Sequence, residues 1–154
     1  MNTTANPSSL RHQVALITGG GRGIGAATAE ALARKGAHVI VASRTEAELA
    51  ATVARLRAAG LSASSHVLDV ADDAAVAAAF ARIAAEFGRL DILVNNAAII
   101  ASSPFAEMAM ADWDRLMAVN LRGAVVCARR AFRLMRERGG SIVNVSSLGG
   151  VPGT

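Results

Sequence analysis

Residues 18–25 read TGGGRGIG, five glycines and one arginine between an apolar run and a stretch with helical spacing. Glycine at such a junction lets the backbone approach a ligand closely, and the first turn of a helix offers unpaired N–H groups at the positive end of its dipole. Together they suit phosphate, so the segment predicts a dinucleotide pyrophosphate seated on a helix N-terminus, with an ordinary strand-to-helix turn as the plain alternative. A triphosphate-cradling loop would need Gly-Lys followed by Ser or Thr; here Gly25 is followed by Ala26.

The next apolar run ends in ASRTE, residues 42–46. Dinucleotide folds that take NAD place an acidic residue there for the ribose hydroxyls, whereas arginine accommodates the 2′-phosphate of NADP. A methyltransferase, whose GxGxG turn the loop also resembles, would want a carboxylate at the same place. The chain offers Ser43 and Arg44, with Arg22 in the loop itself. A charge-assisted bond is worth about 1.5–3 kcal/mol, roughly ten- to a hundredfold in affinity, so NADP is the cofactor expected over NAD. A plain surface arginine is the alternative for Arg44.

Further along, Asn120 interrupts the apolar face of a helix-like stretch and needs a polar partner, and two serines, Ser146 and Ser147, close the last apolar run. The chain has no tyrosine, and Lys35 is its one lysine.

These residues fall between elements that alternate. QVALIT, HVIVAS, SSHVLDV, LDILVNN and SIVNVS read as strands, and between them IGAATAEALARKG, TEAELAATVARLRAAG and DDAAVAAAFARIAAEFG read as helices, followed by a long helix from about Asp112. Thr45 and Glu48 have the spacing of a capping box, Asp72 can cap the third helix, and Gly60 and Gly88 stand where helices end. Strands joined by helices of this length require crossovers, which predicts an α/β fold: a Rossmann-like doubly wound parallel sheet with helices on both faces. Such sheets bind ligands beyond the carboxyl ends of their strands, where strand order reverses. Residues 1–12 read as a flexible leader and 13–154 as one partial dinucleotide-binding domain.

The chain has 154 residues, 53% hydrophobic and 18% charged, which excludes a disordered protein; with only 3% aromatic residues, aliphatics and alanine must fill the core. No apolar stretch reaches the length of a membrane span and the first residues lack a secretory signal, so a cytoplasmic protein is expected, with no membrane partner. The formal charge of +4 rests almost wholly on arginine. Its densest cluster, Arg129 to Arg138, falls at a predicted helix end, where cations complement the dipole; nucleic acid is therefore not an expected partner. Cys127 reads as a small apolar residue inside a helix.

Motifs in this order and spacing resemble the short-chain dehydrogenase/reductase family. TGGGRGIG matches its TGxxxGxG, LDV at 68–70 its adenine segment, NNAA its NNAG apart from Ala98, MAVNLRG its helix asparagine and GSIVNVSSLGG its serine strand. The resemblance implies that Gly19, Arg22, Gly23, Ile24 and Gly25 line the pyrophosphate, Ser43 and Arg44 the ribose and its phosphate, and Asp69 and Val70 the adenine. It places Asn96 and Ala97 beside the nicotinamide, Asn120 in a proton relay and Ser147 on the substrate carbonyl. Asp69 has an alternative as a cap of the turn before the third helix, Asn95 reads as a brace between strand ends, and Ser147 has one as a partner for backbone groups at a strand end.

The implied activity is hydride transfer between NADP(H) and a small carbonyl or alcohol, in a protein that assembles as a homo-oligomer. The family's general acid is a tyrosine with a lysine four residues on, whose cation favours phenolate. Counting from Ser147 puts that tyrosine near position 160, beyond Thr154, so these 154 residues are expected to be inactive alone. They are also expected to self-associate, because the fifth strand and the long helix would lack apolar neighbours. A non-catalytic dinucleotide-binding module and a gene remnant are the alternatives. The apolar segment IIASSPFAEMAM hints at a moderately apolar substrate.

Overall fold

The computed structural model describes residues 9–100 and 103–147. Five strands form the sheet: β1 (Val14–Thr18), β2 (His38–Ser43), β3 (Ala63–Val67), β4 (Ile92–Asn95) and β5 (Ser141–Asn144). All four pairings are parallel, in the order β3-β2-β1-β4-β5. The chain works outward from β1 to β2 and β3, then crosses to β4 on the other side. That reversal opens a crevice at the carboxyl ends of β1 and β4.

The connections are α1 (Gly23–Arg34), α2 (Glu46–Ala58), α3 (Asp73–Phe87), α4 (Met110–Met117) and α5 (Ala124–Met135). Alternate residues of a strand point to opposite faces. In β1, Val14 and Leu16 join the layer containing Val76, Phe80 and Ile83 of α3 and Cys127 and Ala131 of α5, while Ala15 and Ile17 join Ala29 and Ala33 of α1 and Leu49, Val53 and Leu56 of α2. Burial on both faces is why this strand is a continuous apolar run. Alanines on α1 bring that helix close to the sheet. Cys127 is fully buried, and burial pushes its thiol up to about 11.

The first three helices match their expected spans closely. Asp72 caps α3, its carboxylate accepting from the N–H groups of Ala74 and Ala75, and Gly60 and Gly88 stand just beyond α2 and α3. The capping box at Thr45 does not form: Thr45 holds the N-cap position of α2 without a side-chain cap bond, and the Glu48 carboxylate pairs with Arg22 instead. The third strand is shorter than expected and stops at Val67; the Leu68 N–H still donates to the Ser43 carbonyl, and from Asp69 the chain turns, the Asp72 N–H donating to the Asp69 carbonyl. The predicted long helix begins at Met110 and is broken by a π-helical turn over Ala118–Gly123.

Of the expected leader, residues 1–8 lie outside the described residues. Leu10 donates its N–H to the Lys35 carbonyl and accepts from the Gln13 N–H, so the chain just before β1 lies against the end of α1. The last strand pairs with β4 but is exposed along its length.

Candidate functional site

A cleft of about 350 Å³ opens at the reversal of strand order. Thr18, at the end of β1, organises its floor. Its buried hydroxyl oxygen accepts from the N–H groups of Asn96 and Ala97, both at 3.1 Å, and Asn96 Nδ2 returns bonds of 3.1 Å to the carbonyls of Thr18 and Gly19. These bonds lock the ends of β1 and β4 together and set the path of the glycine loop.

Two glycines are required by geometry. Gly19 has φ +66, and a Cβ there would also lie 2.8 Å from Asn96 Nδ2. A Cβ on Gly25 would lie 2.2 Å from the Gly19 carbonyl oxygen, so the loop can fold back on the first turn of α1 only if Gly25 has no side chain. No side chain caps α1. Its first N–H groups therefore remain donors at the positive end of the helix, beside an open cleft. Ile24 leaves an apolar side chain 66% exposed at the same mouth.

The structure gathers Gly19, Arg22, Gly23, Ile24, Ser43, Arg44, Asp69, Val70, Asn96 and Ala97 on the walls of this one cleft. Gly25 supports the loop from behind. A bound dinucleotide fits these residues: a side-chain-free cradle and uncapped helix end suit a pyrophosphate, and two guanidinium groups stand at the β2 end. Ala98 also lines the cleft, as do Ile99, Leu68, Val119, Thr45 and Glu48, none of which the sequence reading assigned to cofactor binding. Of these, Glu48 carried a signal in its capping-box spacing, but one that pointed to a different task.

Asp69 performs the turn-capping role its position suggested, and more. One carboxylate oxygen accepts from the Ala71 N–H at 2.9 Å, and the other accepts from Arg115 Nη2 of α4 at 2.7 Å. Partial burial pushes its pKa up, but the bonds from Arg115 and Ala71 outweigh that, and the carboxyl stays below the usual range. A second ion pair, Arg122 with Asp73, ties the π-helical turn to the start of α3. Gly123 lets that turn press against Val70, whose carbonyl oxygen would lie 2.9 Å from a Cβ at this position.

The partner that Asn120 needs is backbone. Its Oδ1 accepts from the Ile99 N–H and its Nδ2 donates to the Ile99 carbonyl, each at 2.9 Å, fixing the chain that leaves β4. Asn95 is the expected brace, donating through Nδ2 to Asn144 Oδ1 of β5 at 2.9 Å and to the Ala124 carbonyl at 3.2 Å. Neither Asn120 nor Ser147 lies on the cleft wall described above. Ser147 stands three residues beyond β5 and is exposed, and residues 148–154 lie outside the described residues. Residues 101–102 of the segment expected to border a substrate do so as well.

Comparison with known proteins agrees with this geometry. The family model for short chain dehydrogenase matches residues 13–154. The chain is 45% identical over 148 residues to the short-chain reductase protein NovJ of Streptomyces niveus, covering 96% of this chain and 56% of that protein. It is 46% identical over 148 residues to cis-4-hydroxycyclohexanecarboxylate dehydrogenase of Sinomonas cyclohexanicum, covering 94% and 59%. Among solved structures, a metagenomic short-chain oxidoreductase in complex with NADP superposes with a TM-score of 0.88 at 41% identity, covering 93% of this chain and 66% of that one. The chain thus spans little more than half the length of these curated relatives. Its matched motifs, sheet order and cleft make it a member of the short-chain dehydrogenase family.

Proposed function

We propose that these residues form the NADP-binding portion of an oxidoreductase that transfers hydride between NADP(H) and a small carbonyl or alcohol compound. The carrying observation is that β2 ends at Ser43 and is followed by Arg44, both on the cleft wall, with Arg22 on the loop beside them. Basic side chains at that place favour a 2′-phosphate over two free ribose hydroxyls. The solved relative with NADP supports the same choice.

In this reading Gly19, Gly23, Ile24 and Gly25 hold the pyrophosphate, Arg22 turns from that loop to the 2′-phosphate at the β2 end, Asp69 and Val70 border the adenine, and Asn96 and Ala97 flank the nicotinamide. When bound, the nicotinamide supplies the hydride chemistry. Ser147 would donate its hydroxyl to a substrate oxygen. Asn120 has one amide N–H and one lone pair left after binding Ile99, enough to hold a water in a proton path. The sequence contains no tyrosine, so the family's general acid is not among these residues, and in this reading they bind cofactor without turning over. Homo-oligomer assembly and a cytoplasmic setting belong to the same proposal; among the described residues no helix is long and apolar enough to cross a membrane.

The test is a fluorescence titration of Arg44→Asp against the parent chain. NADPH affinity is expected to fall roughly ten- to a hundredfold, with NADH changed far less. Equal NADPH binding by the two proteins would refute the choice of cofactor. Steady NADPH consumption by the 154-residue chain with a carbonyl panel would refute the need for an outside acid.

A further inference from the structure

Glu48 lies at the third position of α2, where a capping box would have turned its carboxylate back to the helix start. That bond does not form, and Glu48 borders the cleft. Its Oε1 lies 3.4 Å from Arg22 Nε. Gly21 shows how tightly this corner is drawn: a Cβ built there would stand 3.1 Å from Glu48 Cβ, 3.1 Å from Ser43 Oγ and 3.4 Å from Glu48 Oε2. Arg22, Ser43 and Glu48 therefore converge on one spot at the β2 end of the cleft, with Arg44 beside them. Arg44 makes no ion pair among the described residues.

We propose that Glu48 is a specificity-determining residue that competes with the 2′-phosphate of the cofactor for Arg22 and so holds down the preference for NADP over NAD. The proposal rests on the dinucleotide reading given above. A ribose with a free 2′-hydroxyl leaves the Arg22–Glu48 pair intact. A phosphate at that place meets two guanidinium groups, but one of them is already engaged by a carboxylate that also repels the incoming charge. The side chains are 83% and 38% exposed, so the pair is weak and screened and can be opened. Glu48 thus tunes a ratio of affinities rather than blocking a ligand.

The test uses two probes that differ only in the phosphate, 2′,5′-ADP and 5′-AMP, titrated calorimetrically into the parent, Glu48→Gln, Arg22→Ala and the double variant. Glu48→Gln is expected to bind 2′,5′-ADP about three- to tenfold tighter, with 5′-AMP unchanged within about twofold and a larger gain at low salt. In the Arg22→Ala background most of that gain should disappear. An unchanged ratio of the two affinities in a folded Glu48→Gln protein overturns the proposal, and so does a gain that survives loss of Arg22 undiminished. Should Glu48→Gln fail to fold, Glu48→Asp retracts the carboxylate by one methylene, and the absence of any gain there overturns it equally. If the parent binds neither probe saturably, the dinucleotide reading itself has failed, and this proposal falls with it.

Discussion

The region built on β1, α1 and β2 differs sharply from the one built on α4, the π-helical turn, α5 and β5. In the first, strand residues are covered on both faces, and the loop at the strand ends is fixed by Thr18, Asn96 and the steric demand at Gly25. In the second, α4 buries no residue, and Trp113, Met117, Leu121, Val125 and Phe132 leave apolar side chains exposed along one run of helix. Ile142, Val143 and Val145 are exposed beside them. Both regions carry apolar residues at strand and helix spacing in the sequence. What differs is whether a covering element packs on them among the described residues: the first is enclosed around its cleft and the second is left open.

The largest effect that would sharpen this contrast is expected at Gly25. Gly25→Val should abolish saturable NADPH binding, a loss of at least about a hundredfold, with a fall in melting temperature, because two methyl groups join a Cβ that already overlaps the Gly19 carbonyl. Near-parental binding by that variant would mean the loop is not held as described. Next come paired truncations on the two sides. Leu16→Ala, at a fully buried site of β1, should cost about 2–5 kcal/mol in urea unfolding, and Val143→Ala, 48% exposed on β5, less than about 1 kcal/mol. Similar costs at both sites would erase the distinction.

A smaller effect concerns association. Replacing Leu121 and Val125 together by serine should shift the chain toward monomer in sedimentation or size-exclusion measurements while leaving NADPH affinity within about twofold, since neither side chain lines the cleft. A monomeric parent would remove the basis for that expectation.

The smallest effect belongs to His66, buried on β3 with both ring nitrogens lacking hydrogen-bond partners among the described residues. Burial lowers its pKa, Arg82 lowers it further and Glu86 opposes. The folded protein therefore holds it neutral more strongly than the unfolded chain does. Its contribution is fully present above the unfolded value of about 6.5 and is lost as pH falls below that toward the folded value. Melting temperature should thus decline as pH falls below about 6.5, and His66→Leu should flatten part of that slope; His38, lowered chiefly by burial, accounts for some of the rest. An identical slope in the variant would show that His66 does not titrate with unfolding.

Much of this was legible beforehand for a physical reason. The period of apolar residues and the short-range chemistry of caps and glycine turns are local, and they specify strands, helices and the loop at 18–25 without knowledge of distant contacts. Local chemistry does not decide the outcome where two distant segments compete for one side chain. Thr45 and Glu48 have the spacing of a cap, yet Glu48 is taken by Arg22, some 26 residues earlier in the chain. The helix expected from Asp112 has no local signal for a π turn, which lies where Gly123 presses on Val70 and Arg122 pairs with Asp73.

The parallel α/β architecture, the glycine loop and the basic residues at the end of β2 follow from the order of residues alone, because each depends on periodicity or on a single residue type at a junction. That Glu48 faces the cleft and that Asp69 is shared between a turn and Arg115 follows from long-range packing. So does the pairing of half of the Asn120 amide with Ile99. These are long-range bonds, and which of several polar groups forms them depends on how the crossovers bring strand ends and helices together.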